Sequence, residues 1–131
     1  MQWLKEVIAK YATFRGRARR REYWRFILFN LCTYGLLLLI DLLTGTFDME
    51  TMRGWLSTGY MFFVSIPFFA VAVRRLHDTG RSGYWMILNL LLFFGFLNLL
   101  SLSAFLVLLF FFIQEGDEGD NAYGPDPKFA Q

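Results

Sequence analysis

Long apolar runs, separated by short charged stretches, set the pattern of this chain. Residues 23–43 are almost wholly apolar, residues 55–74 nearly so, and residues 84–113 carry no charge at all. About 18 or more consecutive apolar residues can span a bilayer as a helix. The pattern therefore predicts an all-α, polytopic membrane helix bundle with two full spans, over 23–43 and 55–74. The third run is longer. As one helix it would extend about 45 Å, against a hydrocarbon layer of about 30 Å. A break between Gly95 and Ser101 resolves this, giving a hairpin of two short helices over 84–96 and 99–114. Asn98, Ser101 and Ser103 would satisfy the backbone at the turn; a single, strongly tilted helix is the alternative. Ahead of the first span, Trp3, Leu4, Val7, Ile8 and Tyr11 share one helical face. Residues 1–22 thus read as an N-terminal amphipathic interfacial helix and a basic segment. The other reading packs that helix on the rest of the protein.

Composition excludes a soluble alternative. Of 131 residues, 56% are hydrophobic and 20% aromatic, more than a small soluble fold could hide, since such folds bury only part of their surface. The first run is too long for a signal-peptide core and no small-residue cleavage site follows it. The lone Cys32 lies inside that run. It cannot form an intramolecular disulfide and fits a small buried hydrophobe.

Charge sets the orientation. Eight of the thirteen Lys and Arg fall in the first 25 residues, whereas residues 115–131 hold five acids and one Lys. Basic residues stay cytoplasmic, so the N-terminus is expected inside the cell, and so is the stretch 74–83 after two spans. The segment "FRGRARRREYWRF" (14–26) carries six arginines beside Tyr23 and Trp24. Near a membrane surface each basic residue attracts anionic lipid by about 1 kcal/mol. No nucleic acid is expected, because the run abuts a membrane helix. Residues 115–131 are expected as an acidic cytoplasmic tail, with Asp117, Glu118 and Asp120 paired to Arg17, Arg20, Arg74 and Arg81.

The stretch "VAVRRLHDTGRSGYW" (71–85) concentrates charge between apolar runs. Arg74 and Arg75 end a helix, where cations complement its dipole. Gly80 and Gly83 allow a turn, Asp78 can pair with arginine, and Ser82 can cap the next helix. His77 beside Asp78 is a weak catalytic signal, and one His with one Asp is too few for a metal. No catalytic residue, metal or cofactor is expected. Arginines around a glycine-rich turn at headgroup depth suit a phosphate. Within the spans, Asn30 and Thr33 are expected to bond between helices, Asp41 to lie at the interface, and Pro67 to kink its helix.

Three stretches, "FRGRARRREYW" (14–24), "RRLHDTGRSGYW" (74–85) and "GDNAYGPDP" (119–127), together resemble the DUF805 family. The matching positions are Gly16, Arg17, Arg20, Glu22 and Trp24; Arg74 through Gly83 and Trp85; and Asn121, Tyr123, Gly124, Pro125 and Pro127. The resemblance implies a multi-pass protein of the bacterial cytoplasmic (inner) membrane and supplies no reaction. The chain departs from that pattern in lacking prolines in "FFGFLNLLSLS" (93–103) and in the exit "FIQEGDEGD" (112–120).

The expected site is a polar cluster of Arg17, Arg20, Glu22, Arg74, Arg75, His77, Asp78, Arg81, Asn121 and Tyr123, either a headgroup site or a structural lock. The expected function is a non-enzymatic binding or assembly module that engages anionic lipid headgroups or an acidic partner. A homo-oligomer is compatible with this. The alternative is a subunit of a small oligomeric channel or transporter, suggested by Asn30, Asn89, Asn98 and Asp41.

Overall fold

The computed structural model describes residues 9–88 and 98–129. Most of the expected interfacial helix, most of the 84–96 helix and the break near Gly95 lie outside the described residues. Helices dominate: α1 (Arg20–Thr44), α2 (Trp55–Asp78) and α3 (Asn98–Ile113). A small antiparallel ribbon joins α1 to α2. It pairs β1 (Phe47–Asp48) with β2 (Arg53–Gly54), Phe47 opposite Gly54 and Asp48 opposite Arg53. That ribbon and an isolated antiparallel bridge between Asn121 and Gly124 depart from all-α among the described residues.

α1 and α2 are 25 and 24 residues long, about 36 Å each at 1.5 Å per residue. Both are long and apolar enough to cross a membrane. Only 11% of the most apolar stretch of α1 is buried, whereas the core helix of a soluble protein hides its apolar face. Leu28, Leu31, Leu36, Phe62 and Phe63 stand exposed, which costs nothing against lipid tails. α3, at 16 residues, is shorter than a full span of about 20.

With no hydrophobic drive between helices inside a bilayer, packing and hydrogen bonds must hold them. The packed core gathers at one end. Tyr23 and Phe26 of α1, Val71, Ala72 and Leu76 of α2, and Leu108 and Phe112 of α3 meet there with Ala18 and Met86. The Tyr23 and Phe112 rings lie 4.5 Å apart. Midway along, the Tyr60 hydroxyl donates to Asn30 Oδ1 at 2.6 Å, while Asn30 Nδ2 donates to the Phe26 carbonyl. Asn30 thus bonds between helices as expected. Thr33 does not: its hydroxyl donates to Phe29 of its own helix.

The far end is organised by Asp41. The sequence pattern puts it at the interface, yet it is fully buried. Its carboxylate accepts from the backbone N–H groups of Leu56 and Ser57 (3.1 and 2.9 Å), and from the hydroxyls of Ser57 and Thr46 (2.8 and 2.7 Å). Gly54 precedes α2 as its N-cap and has no side chain to cap it, so Asp41 satisfies the orphan donors from the neighbouring helix. A Cβ on Gly54 would lie 2.0 Å from Asp41 Oδ2, so only glycine fits.

Pro67 is buried inside α2. It has no N–H, which deprives the Phe63 carbonyl of its helical partner. The Tyr11 hydroxyl donates to that carbonyl, and its ring lies 5.4 Å from the Phe63 ring. At Tyr11, then, the segment ahead of α1 packs along α2.

Candidate functional site

α2 continues through Asp78. The reason is that its charged last turn is buried, so the helix has no need to end where the charges begin. Arg74, Arg75, His77 and Asp78 therefore project from a rigid helical turn rather than a loop. Only Thr79 to Ser82 separate α2 from the 3-10 turn Gly83–Met86. Gly80 supplies the left-handed conformation there (φ 67°), and the Ser82 hydroxyl accepts from Tyr84 N.

Asp78 is the hub. Its Oδ1 accepts from Arg17 Nε at 3.0 Å and its Oδ2 from Arg75 Nη1 at 2.5 Å. All three side chains are nearly free of solvent contact. Buried charges are tolerable only when paired and fully hydrogen-bonded, and the remaining donors are placed accordingly. Arg17 Nη1 donates to the Gly119 carbonyl (2.5 Å) and Nη2 to the Asp117 carbonyl (2.6 Å). Arg75 donates to the carbonyls of Phe112 and Gln114, and Arg20 to that of Ile113. These three carbonyls belong to the carboxyl end of α3, where backbone acceptors are orphaned and cations are favoured. The arginines of the first two motifs thus cap the third helix.

Around this hub the other segments join. The Arg74 carbonyl accepts from Ala18 N, and its guanidinium pairs with Glu22 at 2.8 Å. The Asp78 carbonyl accepts from Asp117 N at 2.7 Å. His77 stacks flat on Tyr123, centroids 4.1 Å apart, and its Nδ1 lies 3.2 Å from the Gly16 carbonyl. Asn121 Nδ2 donates to the His77 carbonyl. Of the ten expected residues, Arg17, Glu22, Arg74, Arg75, His77, Asp78, Asn121 and Tyr123 meet in this lock. Arg20 lies at its edge. Arg81 is turned away: it donates to Thr79 O and lies 4.1 Å above the Phe111 ring.

The expected pairing of tail acids with arginines needs correction. The described ion pairs are Arg17–Asp78, Arg75–Asp78 and Arg74–Glu22. The arginines take the tail's main-chain carbonyls, because a carbonyl satisfies a guanidinium donor without a second charge being desolvated. The tail acids serve the tail's own fold. Asp126 accepts from Lys128 N and Gly119 N, and Asp120 accepts from Asp126 N. The Lys128 N–H first, then Gly119 N–H and the charge of Arg17, hold the Asp126 carboxyl below the usual carboxylate range.

One residue that sequence reasoning missed, Gly116, is fixed by geometry: a Cβ on it would lie 2.1 Å from Asp78 Oδ2. Gly80, expected only as a turn residue, also faces the tail, where its Cβ would lie 2.7 Å from Asp117 Oδ2. Beside the lock opens a cleft of about 330 Å³, lined by Arg19, Arg20, Arg21 and Lys128, with Asp78 and Glu115. Among the described residues no group of three or more His, Cys, Asp and Glu is placed to hold a metal.

Apolar helices held at one end by a buried charged lock define a helical integral membrane protein. The model of the family described as "Protein of unknown function (DUF805)" matches residues 11–125, and the chain belongs to that family. It is 42% identical to the inner membrane protein YhaH of Escherichia coli K12 over 128 residues, 98% of each chain. It is 43% identical to the inner membrane protein YhaI of the same strain, over 99% of this chain and 98% of YhaI. The uncharacterised E. coli protein YiiR is 33% identical over 88% of this chain and 86% of its own. No solved structure matches.

Proposed function

We propose that this is a multi-pass inner-membrane binding module, without enzymatic chemistry, whose basic end engages anionic lipid headgroups. One observation carries the reading. Arg17, Arg74 and Arg75 are consumed by the internal lock, while Arg20, Arg21 and Lys128 stay exposed around the cleft. These exposed cations are available to an anionic headgroup at the membrane surface.

The location of the relatives and the density of basic residues support a cytoplasmic face for this end. α2 and α3 both terminate at it, so α3 begins 16 residues away from this end and runs back toward it, which supports the hairpin. The N-terminal segment and the tail would then share the cytoplasmic side. Of the four polar residues that suggested a channel, the side chains of Asn89 and Asn98 lie outside the described part of the structure, and the two described ones, Asn30 and Asp41, lend that reading no support. Asn30 is bonded to Tyr60 and Phe26, and Asp41 has four donors; neither is left to line an ion path.

The test is lipid retention. The Arg20→Gln, Arg21→Gln, Lys128→Gln triple variant should co-purify with several-fold less anionic lipid than the parent protein. Equal lipid content in the two would refute the reading.

A further inference from the structure

Two concavities lie along the α1–α2 pair. The first is the basic cleft, where four cations face two carboxylates. One of these carboxylates, Asp78, is already held by Arg17 and Arg75, so the cleft is more cationic than a formal count suggests. α1 also begins there, at Arg19, without a side-chain cap, and the positive end of its dipole adds to the field. Arg20 uses Nη1 on Ile113; a guanidinium has five N–H donors, which leaves a fork for a phosphate oxygen.

The second concavity is a groove of about 310 Å³ between the helices, lined on α1 by Ile27, Leu31 and Tyr34 and on α2 by Met61, Val64 and Phe68. It is almost wholly apolar. Arg20, Ile27, Leu31 and Tyr34 are spaced seven, four and three residues apart, which puts them on one face of α1. The opposite wall is α2, which ends at Asp78, in the cleft. Ile27 lies about 10 Å and Tyr34 about 21 Å along the axis from Arg20 at 1.5 Å per residue. Half of a hydrocarbon layer is about 15 Å, with a headgroup layer of about 5–7 Å above it, so the midplane lies about 20–22 Å below a phosphate-level arginine. A groove between about 10 and 21 Å below Arg20 occupies the acyl region of the same leaflet.

We infer that the cleft and the groove are one site, which takes a phosphate-bearing diacyl lipid, its phosphate among Arg20, Arg21 and Lys128 and one acyl chain along Leu31 and Val64. This rests on the headgroup-binding reading and narrows it. A free anion would use only the cleft, so the groove distinguishes a lipid from inorganic phosphate or an acidic peptide.

The experiment uses the full chain in detergent and native mass spectrometry to count bound lipid. The probes are phosphatidic acid with two oleoyl chains, phosphatidylcholine with the same chains, and inorganic phosphate as competitor. Leu31→Trp and Met61→Trp each fill the groove without touching an arginine; both are scored only against a parent-like thermal unfolding profile, and either suffices. The parent is expected to retain phosphatidic acid over phosphatidylcholine. Groove filling should lower that retention roughly tenfold, and Arg20→Gln with Arg21→Gln should do the same, in line with the loss of charge-assisted contacts. Millimolar inorganic phosphate should compete weakly. If groove filling changes nothing while the arginine variant loses the lipid, the cleft alone binds. The inference then falls and the headgroup reading stands. If inorganic phosphate displaces the lipid from parent and groove variants alike, the site is one for a free anion, which also overturns the inference. If the parent shows no preference for phosphatidic acid and the arginine variant matches it, both fail.

Discussion

Replacing Asp78 by asparagine is the sharpest perturbation of the lock. The change keeps the shape and one carbonyl acceptor but removes the charge. Each carboxylate oxygen now serves one guanidinium, at 3.0 and 2.5 Å. In the variant, one guanidinium must face an amide NH2 group, and two buried cations lose the anion between them. Removing one partner of a buried pair costs about 3–5 kcal/mol. Here Gly116 closes over Asp78, with no room for even a methyl group. At 1.36 kcal/mol per decade, the folded-to-unfolded ratio should fall by roughly two to four decades. The assay is reversible unfolding of the purified protein in mixed detergent, followed by tryptophan fluorescence. Glu118→Gln, an exposed change in the same tail, is the control and should stay within about 0.5 kcal/mol. Arg17→Gln combined with Asp78→Asn should cost less than the two singles added, because they share one interaction. A loss below about 1 kcal/mol for Asp78→Asn, the size of an exposed surface pair, would refute the claim that this cluster is buried and holds the fold.

Other outcomes rest on particular contacts. Gly116→Ala should cost about 1–3 kcal/mol by overpacking against Asp78, measured by the same unfolding assay; a neutral effect would mean the tail does not close over the hub. Tyr60→Phe should cost about 0.6–1.7 kcal/mol, the range for one interhelical hydrogen bond in a membrane. Asp41→Asn should lower the thermal midpoint clearly more than Asp48→Asn, whose carboxylate caps only an exposed turn at Glu50 and Thr51. Because the Asp126 carboxyl is held low in the folded chain, its contribution to tail docking is complete above its ordinary pKa and is lost as pH falls through the lowered value. Stability against unfolding should therefore fall more steeply on acidification in the parent than in Asp126→Asn, followed by the same assay across pH. With Cys32→Ala and a cysteine added after Gln131, a membrane-impermeant thiol reagent should label only permeabilised cells. Labelling of intact cells would place the tail outside.

Much of the fold is legible in the chain because the relevant signals are local. Apolar run lengths locate α1 and α2, and the three charged stretches do converge. The features that escape have a common physical reason. Carbonyl acceptors carry no residue signature, so nothing in "EGDEGDNAYG" announces that the arginines seek Asp117 and Gly119 by their backbones; the acidic side chains are the conspicuous feature instead. Charge likewise reads as an exit from the helix after Arg74, although burial lets α2 keep its turns through Asp78. Asp41 sits near a helix end by sequence, where solvent is the ordinary surrounding. Only the packing of Gly54 against it reveals that it caps the next helix. Arg81, close in sequence to the hub, is drawn off by Phe111.

The capping of α3 by Arg20 and Arg75 has a consequence in time. Residues 112–124 leave the ribosome after α1 and α2, so when those two helices are synthesised their arginines still lack these carbonyl acceptors. During that interval Asp78 is the one described carboxylate within reach of both Arg17 and Arg75, and the remaining donors must stay hydrated at the membrane surface. Closure waits for residues 112–124. A copy that stalls or is clipped before Gln114 would display open guanidinium groups beside an unfinished helix.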